Sequence, residues 1–385
     1  MARTLRIVLW SVFGAAALFL LGGAAWLLSL PQDVAAIAAP PVPQEETRAT
    51  LEALKPPKRQ RPLVAIIGIN DATETTDYLM PYGILRRAGV ADVMALATGP
   101  GPVTLYPALK VAPQATTAEF DTAHPEGADY VIVPAMSRDD DPAALRWIRD
   151  QAAKGAIIIG VCAGAKVVAA AGLLDGRRAT THWHYLDELR EKHPAIRYVA
   201  DRRLVVDRGV ATTTGISASM PMSLTLIEAI AGRERAEEVA RDLGLADWDL
   251  RHASEAFKFT RSFATTAIGN TAAFWNREQL GLELAPNANE VALALVADAW
   301  SRTYRSRAVT FAASADGETS LVGIRILPDQ IATDWTQARA LPAMGGLKPA
   351  DALDRALSAI ESRYGSRTAD FVALQLEYPR QDNDR

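Results

Sequence analysis

Cysteine is almost absent from this sequence, because Cys162 is the only one among 385 residues. A single thiol excludes an intrachain disulfide framework and a thiolate metal cluster. Histidine is also scarce, and the five histidines show no ligand spacing such as HxxxH within one helix. The glycine-rich stretch at Gly99–Val103 has prolines where a phosphate-binding loop needs N–H donors. The sequence therefore predicts no metal and no other cofactor.

An excess of charge of either sign is missing as well, because 41 basic residues stand against 45 acidic ones and the net charge is −4. This balance gives no field that would draw the whole chain to nucleic acid or anionic lipid. The segment Ala236–Phe257 has the alanine and glycine spacing of a helix-turn-helix, but its acidic residues would face the phosphates. We expect no nucleic-acid partner.

One long apolar run is present at the start of the chain, from Ile7 to Leu30, after Arg3 and Arg6. As a helix this run would be ~36 Å long, which is enough to cross a bilayer. We predict a transmembrane anchor over residues 1–31, with a cytoplasmic N-terminus and a periplasmic globular part. A cleaved signal peptide is the alternative, since small residues near Ala36 to Ala39 resemble a cleavage site.

The following residues, 32–61, mix proline, alanine and charge and show little apolar periodicity, apart from a short helical stretch at Glu45–Leu54. Such a composition is typical of a semi-rigid linker.

From Leu63 the sequence alternates short apolar runs with helical patterns. The runs LVAIIGI, VMALA, YVIVPA and AIIIGVC predict strands, and residues near Asp77–Ala88 and Pro142–Lys154 predict helices. Strands that alternate with helices form a parallel sheet covered on both faces.

Cys162 ends the run AIIIGVC, and a segment with helical spacing follows at once. The thiol is therefore expected on a strand-to-helix turn that resembles a nucleophile elbow, with Ala163 and Gly164 as the small neighbours that such a turn needs. The N-terminus of a helix lowers the pKa of a thiol and favours the thiolate. A buried structural cysteine is the alternative, since free cysteines are often buried.

Four longer segments are similar to one known group of proteins: Asp71–Gly89, Gly160–Trp183, Asp201–Met220 and Leu224–Arg241. Together they resemble the ThiJ/PfpI superfamily of class I glutamine amidotransferase-like proteins, in particular the sensory half of AraC-type regulators without their DNA-binding domain. The resemblance implies a flavodoxin-like α/β fold over residues 62–262. Members include hydratases, glyoxalase-like enzymes, proteases, redox sensors and inactive ligand-binding domains, so it implies no single activity.

The resemblance also implies the residues that do chemistry. Cys162 falls on the elbow cysteine of the family, and Asp77, four residues before Pro81, falls on an acid whose carboxyl group meets the sulfur. If the register shifts by one turn, Glu74 takes the place of Asp77. His182 matches a pocket histidine that can act as acid, base or polar wall.

Substrate-binding positions follow from the same resemblance. Thr214 and Gly215 match the loop that closes the pocket in relatives. Relatives carry glycines after the strand YVIVPAM, where backbone N–H groups help to form an oxyanion hole, whereas Pro134 has no N–H. The Ala163 amide is then the main expected donor to negative charge. The predicted substrate-binding residues are Gly164, Thr214, Gly215 and Ala135.

Residues 263–385 continue with apolar α/β-like sequence and contain a partial internal repeat. Two pairs of segments align without gaps: Met80–Ala97 on Val296–Ala313, and Ile227–Leu243 on Ile360–Leu376. Asp77 corresponds to Leu293, and no second cysteine is present, so this region cannot repeat the chemistry. We interpret it as a truncated, degenerate second copy that covers a sheet edge or the surface relatives use for dimerisation. Chance similarity between α/β building blocks is the alternative.

Two functions fit these observations. In the first, a Cys162 thiolate attacks a small electrophile such as a carbonyl or nitrile-type carbon, with Asp77 managing the proton and His182 lining the pocket, as in a hydrolase, hydratase or glyoxalase-like enzyme. In the second, the protein is a non-enzymatic envelope sensor that reads oxidants through a sulfenic acid at the cysteine, or holds a ligand above a vestigial site. A small molecule is the expected partner in both, and oligomerisation stays open.

Overall fold

A computed structural model of the chain describes residues 2–33, 38–342 and 345–379. The cleavage segment of the signal-peptide alternative, near Ala36 to Ala39, lies partly outside these residues, because 34–37 are not described.

The described α-helices are α1 (Ala2–Ser29), α2 (Gln44–Ala53), α3 (Thr75–Ala88), α4 (Thr117–Ala123), α5 (Pro142–Ala153), α6 (Gly164–Ala170), α7 (Leu186–Lys192), α8 (Ser219–Ala231), α9 (Arg233–Leu243), α10 (Arg261–Ala272), α11 (Glu290–Ser301), α12 (Pro349–Tyr364) and α13 (Ser366–Gln375). The described strands are β1 (Leu63–Gly68), β2 (Thr73–Glu74), β3 (Asp92–Ala97), β4 (Val103–Tyr106), β5 (Lys110–Ala112), β6 (Ala115–Thr116), β7 (Tyr130–Val133), β8 (Ile157–Gly160), β9 (Arg178–Ala179), β10 (Arg197–Tyr198), β11 (Leu204–Asp207), β12 (Val210–Thr213), β13 (Glu278–Glu283), β14 (Ser306–Ala312), β15 (Glu318–Thr319), β16 (Arg325–Leu327) and β17 (Gln330–Ile331).

The central sheet has the strand order β11-β12-β8-β7-β1-β3-β6. Its neighbouring strands are parallel, except that β11 runs antiparallel to β12. The strands β1, β7 and β8 are buried along their whole length, which explains their unbroken apolar sequences. Alternate residues of β1 belong to two hydrophobic clusters. The cluster on one face contains Ile66 and Tyr78 of α3, and the cluster on the other contains Ile67 and Trp147 of α5. The flavodoxin-like α/β part of the prediction is therefore confirmed.

The first helix corrects the prediction of a membrane anchor. In the part of the chain that the structure describes, no helix combines the length and the apolar composition that a bilayer span requires. The transmembrane segment over residues 1–31 and the single-pass localisation drawn from it are therefore wrong. The C-terminal end of α1 contacts α10, where the Arg261 backbone N–H donates to the Pro31 carbonyl at 2.8 Å and the Arg261 Nε donates to the Leu27 carbonyl at 3.0 Å.

The segment predicted to be a linker is packed on the domain. Leu54, which follows α2, is buried, and its carbonyl accepts a hydrogen bond of 2.6 Å from the Tyr130 hydroxyl. Asp129, also buried, accepts from the backbone N–H groups of Lys58 and Arg59 and from the Arg59 guanidinium at 2.6 Å. Arg59 of this segment therefore forms an ion pair with a buried acid that lies 70 residues further along the chain.

The C-terminal region continues the fold of the preceding domain rather than standing apart from it. Strands β13, β14 and β17 form a separate parallel sheet. Strands β15 and β16 instead join β5, β4 and β2 in a second sheet, in which β16 runs antiparallel to β5. Helix α11 packs between α3 and α12. This arrangement brings the residues after α11 and α13 to the cysteine.

Candidate functional site

The thiol lies at a strained turn between β8 and α6. Cys162 has a φ of 56°, a left-handed conformation that is rare for a residue with a side chain. Its N–H donates to Thr213 Oγ1 at 3.0 Å, and its carbonyl accepts from Thr181 Oγ1 at 3.0 Å. Neighbouring strand ends thus hold the turn from both sides, as in a nucleophile elbow.

Asp77 lies in the first turn of α3 and is completely buried. Its backbone N–H donates to Glu74 Oε2 at 2.6 Å, and its Oδ2 accepts from the Ala135 N–H at 3.1 Å. Its Oδ1 has no hydrogen-bond partner among the described residues. Burial, reinforced by the charge of Glu74, raises the pKa of Asp77 well above its usual value. Burial and the charge of Glu74 therefore favour the protonated form of the Asp77 carboxyl group.

The pKa of the Cys162 thiol is raised well above its usual value, chiefly by burial and then by the carboxyl groups of Asp77, Glu74 and Glu377. A backbone hydrogen bond from Ala163 acts in the opposite direction. The sequence favours a thiolate because a helix begins after the cysteine, but α6 has only 7 residues and desolvation outweighs its dipole. The thiol consequently keeps its proton at neutral pH.

A buried cation completes the acid cluster. Arg302, directly after α11, donates from Nη2 to Glu74 Oε1 at 2.9 Å and from Nε to Asp298 Oδ2 at 2.7 Å. Burial raises the pKa of Asp298 to about 7, although the guanidinium beside it acts to lower that pKa. The cluster therefore contains one permanent cation among several carboxyl groups, of which Asp77 has a raised pKa and Asp298 titrates near neutrality.

A cavity of about 530 Å³ opens beside the sulfur, a size suited to a small organic ligand. Cys162, Ala163, Ala135 and His182 line it, together with Glu74, Lys166 and Arg302. Much of its remaining wall is aromatic: Tyr106, Trp183, Tyr185, Phe259, Phe263 and Tyr304.

The other predicted site residues lie away from this wall. A Cβ atom on Gly164 would be 2.0 Å from the Val133 carbonyl oxygen, so this glycine permits close packing of α6 on β7. Thr214 is buried behind the elbow, and its N–H donates to the Arg203 carbonyl. Gly215 is buried and donates its N–H to Glu377 Oε2 at 2.8 Å. The structure therefore brings Ala135 to the cavity surface, but not these three, and Asp77 is not among the lining residues either.

His182 has both ring nitrogens engaged. Its Nε2 lies 2.9 Å from the Gln375 carbonyl oxygen, and its Nδ1 accepts from the His184 backbone N–H at 3.1 Å. These partners require the neutral tautomer with the proton on Nε2. Burial lowers the pKa of His182 to about 3, so the ring stays neutral in the physiological range. The residues Trp183–Tyr185 form a 3-10 turn directly after His182.

Glu377 joins the loop after β12 to the residues after His182. Its carboxylate accepts from the backbone N–H of Gly215 and from that of Trp183, at 2.8 Å each. Its carbonyl accepts from Ser217 Oγ at 2.7 Å. One buried residue near the C-terminus therefore ties together two loops beside the cysteine.

The residues that sequence reasoning missed come from the C-terminal region: Arg302, Tyr304, Gln375 and Glu377. The aligned repeat contains a signal for one of them, because it places Arg302 opposite Arg86 at the end of α3. No local pattern marks the other three.

Comparison with known proteins agrees with this geometry. The model of the DJ-1/PfpI family matches residues 64–229. The isonitrile hydratase of Pseudomonas putida is 33% identical over 175 residues, which cover 44% of this chain and 73% of that protein. The chain belongs to the DJ-1/PfpI family.

Other DJ-1/PfpI relatives differ widely in their names. The Parkinson disease protein 7 homolog of Danio rerio is 28% identical over 189 residues, covering 48% of this chain and 97% of that protein. The HTH-type transcriptional regulator GlxA of Rhizobium meliloti is 30% identical over 196 residues, covering 50% of this chain and 57% of the regulator. The family thus includes regulators as well as an enzyme.

Solved structures related to this DJ-1/PfpI chain include a THiJ/PfpI family protein from Pseudomonas syringae, with a TM-score of 0.46, 24% identity, and coverage of 61% of this chain and 93% of that one. An AraC family transcriptional regulator from Pseudomonas putida has a TM-score of 0.41 and 20% identity, and the match covers 46% of this chain and 97% of the regulator chain.

Proposed function

We propose that this protein is a cysteine-dependent hydratase or hydrolase for a small uncharged electrophile with a hydrophobic substituent. The observation that carries the proposal is the placement of the Cys162 elbow on a cavity with several aromatic side chains in its wall, together with the buried Asp77, whose carboxyl group has a raised pKa and acts on the thiol. A thiol nucleophile beside a carboxylic acid can add to a polarised carbon while the acid supplies a proton.

The cavity supports an uncharged substrate. The charged side chains in its wall already have partners, because Arg302 pairs with Glu74, and Lys166 pairs with Asp139. A charged ligand would therefore have to compete with an existing ion pair. The aromatic walls favour an apolar substituent, and the volume exceeds what a two- or three-carbon molecule needs. An organic isonitrile meets these requirements, and one relative bears the name isonitrile hydratase.

On an isonitrile the proposed reaction proceeds in two balanced steps. The sulfur of Cys162 bonds to the terminal carbon, Asp77 delivers its proton to that carbon, and the thiol proton replaces the one that Asp77 has given. Water then adds to the thioimidate carbon, the carbon–sulfur bond breaks, and the thiol and an N-substituted formamide are released. The Ala163 N–H stabilises negative charge at the sulfur, and His182 acts as a neutral wall.

Turnover of cyclohexyl isonitrile to its formamide, followed by chromatography, tests this proposal. We expect Cys162→Ser to abolish turnover and Asp77→Asn to reduce kcat by about 10²–10⁴-fold, the usual contribution of a general acid. Glu290→Gln, at a buried carboxyl group of α11 that does not line the cavity, serves as the control and should keep normal turnover. Undiminished turnover in the cysteine variant would refute the proposal.

A second candidate is a ligand-binding module without turnover. Pro134 has no N–H, and the Ala135 N–H is already donated to Asp77, so the expected oxyanion hole has lost two donors. A raised thiol pKa also disfavours peroxide sensing, which depends on thiolate character. Binding of the isonitrile to wild type and to Cys162→Ala with equal affinity, in the absence of any turnover, would favour this candidate.

A further inference from the structure

The C-terminal region repeats the geometry of the preceding domain at the positions where the sequences align. The alignment places α11 and β14 on α3 and β3, and it places α12 and α13 on α8 and α9. Gly232 joins α8 to α9 with φ 89° and ψ 167°, and Gly365 joins α12 to α13 with φ 90° and ψ 159°. Two equivalent helix pairs therefore bend at the same glycine in the same conformation.

The contacts between the two regions are arranged around an approximate two-fold axis. In the antiparallel pair β5–β16, Val111 lies opposite Ile326 at the centre of the pairing. β5 is the second strand of the antiparallel pair β4–β5 that follows β3, and β16 is the second strand of the antiparallel pair β15–β16 that follows β14. The two strands are therefore equivalent in chain order, so each copy uses the same edge to bind the other. An antiparallel pair of equivalent strands is the pairing that two copies related by a two-fold axis form.

Helices α3 and α11 are also related by the approximate two-fold axis, because two largely buried ion pairs join them in opposite directions. Arg302 at the end of α11 pairs with Glu74 at the start of α3, at 2.9 Å. In the reverse direction, Arg87 at the end of α3 pairs with Glu290 at the start of α11, at 2.7 Å. Extended to these residues, the alignment places Glu290 on Glu74, and Arg87 is one residue after Arg86, which aligns with Arg302. The second pair has no cysteine beside it, because the second copy lacks one.

We propose that residues 263–385 act as a built-in second subunit, which takes the place of a second copy of the domain and supplies Arg302 to the cysteine site as a positioning residue. The proposal deepens the proposed function, since it concerns the same cysteine site, but it does not depend on turnover. The same C-terminal region makes two further contacts at the cysteine site. The Gln375 carbonyl contacts His182, and the Glu377 carboxylate accepts from Gly215.

Arg302 acts on the reacting groups through Glu74. Its guanidinium holds Glu74 Oε1, while Glu74 Oε2 accepts the backbone N–H of Asp77 and so fixes the first turn of α3. The positive charge also attracts a thiolate at Cys162, which opposes the surrounding carboxyl groups. The charged or titratable groups that act on the thiol from the packed elements are Glu74, Asp77, Tyr185, Arg302 and Glu377.

The pH dependence of Cys162 alkylation by iodoacetamide in the full-length protein tests this role. We expect Arg302→Met to move the midpoint of the profile to higher pH. At a fixed pH below the midpoint, alkylation then becomes about tenfold slower for each pH unit by which the midpoint rises. Arg302→Lys keeps the charge and should restore most of the rate. The matched control is Arg87→Met, which removes the reverse ion pair between α3 and α11 and should leave the profile unchanged.

Equal displacement of the midpoint in Arg302→Met and Arg87→Met, or no displacement in either, would overturn the proposal, as would a failure of Arg302→Lys to restore the rate. If Arg302→Met does not fold, Arg302→Gln is compared with Arg87→Gln in the same assay, with the same expected outcomes. Because alkylation reads the thiol directly, a protein that turns over no electrophile would refute the proposed function and still answer this question.

Discussion

Single buried carboxyl groups set the chemistry around the cysteine. Asp77 and Asp298 both lie fully inside the protein, and burial raises the pKa of each. An acid that stays protonated at neutral pH can donate a hydrogen bond or a proton, which an ionised one cannot. Sequence reasoning identified Asp77 by resemblance, but its protonation depends on burial and on Glu74, and neither is visible in a motif.

Asp298 makes the stability of the protein depend on pH. Burial raises its pKa from 3.8 to about 7, so the folded state keeps a proton that the unfolded chain releases between these values. Its stabilising contribution is complete below pH 3.8 and is lost as the pH rises toward 7. Asp298→Asn cannot titrate and should become progressively more stable than wild type over this range, with a constant difference above it.

Urea unfolding at a series of pH values checks this expectation. Asp175→Asn, at an exposed acid, provides the control and should show no difference from wild type that grows with pH. A difference for Asp298→Asn that stays flat between pH 4 and 7 would show that Asp298 is ionised in the folded state.

At the scale of the elements, the sequence pattern predicted the features that depend on neighbouring residues in the chain. Unbroken apolar runs gave the buried parallel strands, and a run that ends in Cys162 before helical spacing gave the elbow. The sheet order and the docking of residues 44–62 depend on contacts between distant residues. Lys58 and Arg59 look like solvated linker residues until Asp129 is placed beside them.

The junction of β8 with α6 depends on the absence of a side chain at Gly164. A Cβ there would lie 2.0 Å from the Val133 carbonyl oxygen, so alanine forces the helix away from the sheet. We expect Gly164→Ala to lower the free energy of unfolding by about 1–3 kcal/mol, the usual cost of overpacking. We also expect it to alter Cys162 alkylation, because the elbow moves with the helix.

Gly269 in α10 offers the matched control, because a Cβ there meets no atom within 4 Å. Gly269→Ala should raise the free energy of unfolding by about 0.5–1 kcal/mol, since alanine favours a helix more than glycine does. Denaturant unfolding of both variants measures the contrast. Equal effects of the two substitutions would mean that Gly164 is not closely packed.

For the molecule as a whole, the C-terminal region gives the site residues that no motif could supply. Arg302 and Glu74 are separated by 228 residues in sequence and meet only because α11 packs on α3. The aligned segments predicted that α11, β14, α12 and α13 correspond to α3, β3, α8 and α9. They did not predict that the two regions pack against each other, because that depends on tertiary contacts. On the proposal that residues 263–385 form a built-in second copy, the chain builds one asymmetric site, in which the copy without cysteine positions the residues of the other.

This pairing within one chain can be trapped by a disulfide across β5 and β16. Ala112 lies opposite Arg325 in the antiparallel register, and such partners have Cα atoms about 4.5–5.5 Å apart, within the range that a disulfide spans. In a Cys162→Ser background, Ala112→Cys/Arg325→Cys should oxidise to a monomer that migrates faster on a non-reducing gel and melts at a higher temperature. Ala112→Cys/Leu327→Cys, which pairs residues about 7–8 Å apart, is the control and should oxidise poorly. A covalent dimer as the main product would show that the strand comes from another chain, and the second subunit would then not be built in.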